Sequence, residues 1–165
     1  EIYPEQMNEK VACLTWLYKK VWPRLLSWVE QSNTPSTIHN YVYTNGKNQP
    51  QEILQAIREG HSFISNGPLV TAEVNGASYG EKAVLKDNTG KLSVHVFSKK
   101  PINHLWMYTG ADKKVELCAK ADTAEGGFTY DIAADEFDFG DTAWALFVAD
   151  GGENNLAISN PILFA

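Results

Sequence analysis

The sequence predicts a mainly β protein, an antiparallel immunoglobulin-like β-sandwich over residues 37–165 preceded by an amphipathic helical segment over residues 1–36. Three observations predict it. From Ser62 onward the chain is a series of short runs rich in strand formers, each closed by a turn dipeptide. Within the clearest run, Leu92, Val94 and Val96 alternate with Ser93, His95 and Phe97, the period of a strand with one buried face. Ahead of residue 37 the apolar spacing is helical instead.

The elements follow in order. Between Pro4 and Gln31, Val11, Leu14, Leu17, Tyr18, Val21, Leu25, Leu26 and Val29 mark one apolar side of a helix. Pro23 disfavours helical geometry at Trp22, so a kink or two helices are expected there. The polar stretch Gln31 to Ser36 reads as a linker and sets the domain boundary. Thr37 to Thr44 is β-branched and aromatic, a strand closed by Asn45-Gly46. A short helix is expected near residues 50–59, with Pro50 in its first turn, Ile53, Leu54 and Ile57 on one side and Gly60 as its stop. Strands are then expected at Leu69–Val74, Ala83–Leu85, Leu92–Ser98, Leu105–Tyr108, Lys114–Ala119, Phe128–Ile132, Ala143–Ala149 and Leu156–Phe164. The turns between them are expected at Asn75-Gly76, Tyr79-Gly80, Thr89-Gly90, Lys100-Pro101, Thr109-Gly110, Gly126-Gly127 and Gly151-Gly152. No helix separates these strands, which favours antiparallel pairing over a parallel sheet.

Composition narrows the function. Lys plus Arg number 14 against 20 Asp plus Glu, a net charge of −6 with no basic block, which argues against nucleic acid and anionic membrane as partners. The apolar run Ala143 to Ala149 is far shorter than the roughly 20 residues of a spanning helix, so no membrane span is expected. His39, His61, His95 and His104 are scattered, with no HxH or HExxH pairing to seed a metal site. Cys13 and Cys118 are too far apart for a CxxC motif or zinc knuckle; a disulfide and the cellular compartment stay open.

The densest motif is Gly60 to Leu69, GHSFISNGPL: Gly60 ends the helix, Phe63 and Ile64 enter a strand, and Asn66-Gly67-Pro68 turns into the next one. With Asn75-Gly76, Leu92 to Ser98, Pro101-Ile102, the Trp144-Ala145 strand and the closing Ser159 to Ile162 (SNPI), it resembles the C-terminal region of PHP-type metal-dependent hydrolases of the CehA/McbA-like group. The resemblance runs from about Ile38 to Phe164. It implies a β-sandwich packed beside a distorted (β/α) barrel that supplies the metal ligands, with divalent metals expected only in that barrel. The barrel's HxH and SDxH-like motifs are absent from this sequence, and Thr37 stands where an Asp would precede His39, so His39 receives no ligand role. The family's usual Arg after the first motif Gly is His61 here, and apolar residues in Ala143 to Asp150 replace another Arg. Both changes weaken any inherited recognition of phosphate or carboxylate.

His61, Ser65, Asn66, Ser159 and Asn160 are the candidate residues of a domain interface or ligand edge. Each has a structural reading beside the functional one. Amides at Asn66-Gly67-Pro68 could meet an anion, or simply form a tight turn. His61 could face a substrate or sit at a helix C-terminus, where imidazolium is favourable. Ser159-Asn160-Pro161 could line a junction or mark an irregular edge strand. Trp16, Trp22 and Trp28 in the helical segment and Trp144 in its apolar run read as packing residues rather than a sugar platform, and only Trp106 alternates outward. Asp135, Glu136, Asp138 and Asp141 carry oxygen ligands without EF-hand spacing and read as a solvated loop. No GxSxG elbow supports acyl chemistry.

The sequence therefore points to a non-catalytic C-terminal accessory domain of a PHP-like metal-dependent phosphoesterase or hydrolase. Its expected partner is the catalytic barrel of the same parent protein, and without that barrel a homodimer through the N-terminal helix is expected. The alternative is a free-standing module that binds carbohydrate or a protein partner. A site built from His39, His61 and the acidic cluster ranks behind both.

Overall fold

The computed structural model describes residues 38–165 apart from 45, 47, 48, 111, 112, 118–120, 125, 153 and 154. The helical segment expected over residues 1–36, its kink at Pro23, and both cysteines lie outside the described residues. What is described is mainly β. Strands β1 (His39–Val42) and β2 (Ser62–Ser65) flank helix α1 (Pro50–Glu59). Then come β3 (Leu69–Val74), β4 (Lys82–Ala83), β5 (Thr89–Ser98), β6 (His104–Thr109), β7 (Lys114–Glu116) and β8 (Ala121–Ala124). The last strands are β9 (Gly127–Asp138), β10 (Trp144–Asp150), β11 (Leu156–Ser159) and β12 (Ile162–Phe164).

Two sheets face each other across a shared core. The smaller has the antiparallel order β3-β5-β9-β8. The larger is centred on β10, which pairs with β6 along one edge and with β11 and then β12 along the other. Beyond these lie β2 and β1 next to β11, β4 next to β12, and β7 next to β6. Val70, Ala72 and Val74 of β3 and Leu92, Val94 and Val96 of β5 meet Leu105, Met107, Phe147, Ala149 and Ile162 from the larger sheet. The alternation read in Leu92 to Phe97 is thus the inward and outward period of β5.

Several expectations are corrected. The pairing of β12 with β4 is parallel, whereas the other strand pairings among the described residues are antiparallel. The run expected as a strand over Leu156–Phe164 is two strands broken at Asn160-Pro161. Thr89 and Gly90 lie in β5 rather than a turn; Asp87 and Asn88, both at positive φ, make the connection, with Lys86 bridging Thr89. The acidic residues Asp135, Glu136 and Asp138 belong to β9, not a loop. The register steps by one between Gly90 and Leu92, so Lys91 stands opposite two residues, and its ammonium lies 3.1 Å from Asp135.

Helix α1 ends as its sequence dictates. Glu52 accepts the Gln49 amide at its start, and Gly60 closes it in the left-handed region at φ 81°. The Gly60 and His61 amides donate to Ile57 O and Ala56 O, the paired bonds of a Schellman end.

Candidate functional site

The two motifs that stand apart in the sequence meet in space. Ile158 lies opposite Val148 and Ile162 opposite Ala145, so Ser159, Asn160 and Pro161 together face two residues of β10, Leu146 and Phe147. This is a bulge, and proline suits it because the bulged position has no ladder bond to donate. The Phe147 amide donates to Ser159 Oγ at 2.9 Å, a side chain replacing the missing carbonyl. Asn160 donates its amide to Ser62 O at 3.1 Å and its Nδ2 to Ser62 Oγ at 2.8 Å. Pro161 O accepts the Gly80 amide at 2.8 Å. A Cβ on Gly80 would collide with Glu59 O at the end of α1, so the loop after β3 closes tightly on the helix terminus.

The turn Asn66-Gly67-Pro68 is held in the same manner. Ser65 Oγ accepts the Gly67 amide at 2.9 Å and donates to Pro68 O at 2.5 Å. Asn66 exchanges two bonds with Leu156: its amide donates to Leu156 O, and its Oδ1 accepts the Leu156 amide at 2.6 Å. Gly67 packs on Asn155, which joins Ser98 and Pro101 O through its buried amide. The amides of Asn66 and Gly67, which the sequence offered to an anion, are therefore engaged inside the chain.

Of the five candidate residues, Ser65, Ser159 and Asn160 are buried in this hydrogen-bonded junction, and Asn66 is half-buried at its margin. Asn66 borders a depression shared with Leu69 and Phe97, and His61 borders open space at the helix end. Its amide caps the helix, and its Nδ1 lies 3.8 Å from the Glu59 carboxylate, an ion pair only when the imidazole is protonated. His61 separates two depressions. One, of about 450 Å³, is walled by Tyr41, Tyr43, Phe63, Tyr79 and Glu81. The other, of about 390 Å³, is acidic, with Glu52, Glu59 and Glu81.

The aromatic wall is what the residue-by-residue reading missed. Tyr41 stacks on Phe63 with centroids 4.8 Å apart and planes within 8°, and Phe63 meets the edge of Tyr79. Tyr79 is buried, donates to Val70 O, and burial pushes its pKa far above that of an ordinary phenol. Tyr41 and Tyr43 are exposed on β1 and its continuation; their spacing of two in Thr37 to Thr44 was the available signal. His39 pairs in register with Ser65, while His61 precedes Ser62 at the other end of β2. The two histidines do not converge, and the acidic bulge lies on the opposite sheet. Among the described residues no three His, Cys, Asp or Glu side chains lie close enough to hold a metal ion, and no helix is long and apolar enough to cross a membrane.

On the larger sheet, Trp106 projects outward as its alternation predicted. His104 stacks on one side of it at 4.8 Å and Lys114 Nζ lies 3.7 Å from its ring centroid, while His104 Nδ1 contacts Glu116 at 2.7 Å. Comparison of the chain with protein-family models, characterised proteins and solved structures finds no match.

Proposed function

We propose that the chain is a non-catalytic accessory domain of a PHP-like metal-dependent hydrolase, an immunoglobulin-like sandwich that packs against a catalytic barrel and helps shape its site. The observation that carries this reading is the junction of the two resemblance motifs. Ser62 of GHSFISNGPL and Asn160 of SNPI are joined by two hydrogen bonds, though 98 positions apart. Residues that resemble one family at separate points in the chain thus form one structural unit, which holds β1, the helix end and His61 in place. A four-stranded sheet packed on a larger one supports the immunoglobulin-like description.

On this reading the surface offered to the barrel is the rim of Tyr41, Tyr43, His61 and Glu81. In the parent enzyme, barrel-bound divalent metals would activate the water for phosphoester or amide hydrolysis. The role of this chain is to hold a rigid aromatic and acidic wall beside that site. The reading is tested by the gene: an HxH-containing barrel encoded in frame ahead of Glu1 supports it, and a start codon directly before Glu1 overturns it.

The same groove favours a second reading, a free-standing module for carbohydrate or a protein partner, because exposed aromatic faces beside acidic side chains suit sugar stacking. A glycan array probed with the wild type and with Tyr41→Ala separates the two: saturable, Tyr41-dependent retention of a sugar supports the module.

A further inference from the structure

The two sheets differ on their outer faces. On the smaller, Thr71 and Glu73 of β3, Ser93 and His95 of β5 and Asp131 of β9 are exposed, the solvated side of an antiparallel sheet. The outer face of the larger sheet is apolar and buried. Alternate residues of β10 divide cleanly: Ala145, Phe147 and Ala149 enter the core between the sheets, while Trp144, Leu146 and Val148 point the other way. Ile64, Tyr108, Ile158 and Leu163 join them from β2, β6, β11 and β12. None of these seven is more than 9% exposed, and Leu146 and Val148 are at 0%. The smaller sheet packs on the opposite side, so it does not cover them.

We propose that this outer face is the docking surface for the amphipathic segment 1–36 of the same chain. Three observations identify the occupant. The face is withdrawn from solvent within a single chain, and residues 1–37 are the longest stretch outside the described residues. Ile38, where that stretch joins the sandwich, packs against this cluster, so the segment arrives at the face it would cover. The sequence supplies a matching apolar side, Leu14, Leu17, Val21, Leu25 and Val29, with Trp16, Trp22 and Trp28 nearby. Tyr108 Oη is also buried there, with no hydrogen-bond partner among the described residues. The assignment holds whether or not a barrel precedes the segment. It replaces the homodimer expected from the sequence with a contact inside one chain.

Hydroxyl-radical labelling of the full chain tests it, read at Trp144 and Tyr108 for the outer face and at Tyr79 and Phe147 for the core, with mass in solution by light scattering. The expected result is a monomer with Trp144 and Tyr108 protected. The double variant Leu17→Asp/Leu25→Asp should raise their labelling several-fold while Tyr79 and Phe147 stay protected. Cleavage at a protease site placed within Gln31 to Ser36, which leaves both surfaces intact, should give fragments that co-elute. A monomer with Trp144 freely labelled, a double variant with Trp144 still protected, or a dimer whose Trp144 opens on dilution would each overturn the proposal, the last assigning the face to a second copy.

Discussion

Buried polar residues decide how far the two motifs act as one. Ser159 Oγ is the acceptor for the Phe147 amide inside the sheet. Ser159→Ala leaves that N–H unsatisfied where water does not reach, at a cost of about 1–3 kcal/mol. Urea denaturation should show the midpoint falling with an unchanged slope; an unchanged midpoint would mean that the bulge does not depend on this bond. Tyr79 gives a pH signature. Burial keeps its phenol protonated in the folded chain, whereas in the unfolded chain it ionises near pH 10. Below that pH both states hold the proton and stability is indifferent to it. Above it the unfolded chain loses the proton first, so stability falls by about 1.4 kcal/mol per pH unit for such a group. Tyr108, raised by burial and by the nearby Asp150 charge, acts in the same direction. Tyr79→Phe should flatten the alkaline decline measured between about pH 10 and 11.5, and an unaltered slope would refute the assignment.

Two glycines test how the elements are joined. Gly76 and Gly80 both occupy the left-handed region, at φ 81° and 80°, but only a Cβ on Gly80 meets backbone, at Glu59 O. Gly76→Ala should cost about 1 kcal/mol from conformation alone. Gly80→Ala should cost clearly more and increase amide exchange across α1, because the helix end must move away. Equal losses would show that the helix docks loosely. These elements were unevenly legible in the sequence. α1 was readable from Pro50, its apolar side and Gly60, since helix ends are set by local chemistry. β5 was readable from its alternation. β8, Ala121–Ala124, lacks strand-forming composition and exists by pairing with β9, which no local pattern reveals. Thr89-Gly90 resembled a turn, but the preceding pair Asp87-Asn88 has the polar side chains that tolerate positive φ and took the turn instead.

For the whole molecule, the two-layer plan followed from strand count and turn spacing, because burial on one face leaves its mark on every second residue. The candidate site was legible only as separate motifs. Ser62 and Asn160 each belong to a motif that stands out in the sequence, but their meeting depends on β2 lying beside β11, a long-range pairing that local pattern does not encode. The aromatic wall needed a second pairing, of β1 with β2, which sets Tyr41 opposite Phe63. On the accessory-domain proposal, the purified chain should give no turnover of bis(p-nitrophenyl) phosphate above a metal-only blank with manganese or zinc. Saturable hydrolysis abolished by His61→Ala would assign it catalysis of its own.

The most direct test of the central claim is peptide mapping of the native polypeptide, captured from its own cells with an antibody to the sandwich. Peptides from an HxH-containing barrel are expected on the same polypeptide ahead of Glu1, whereas a native chain that begins at or just before Glu1 would contradict the accessory-domain proposal.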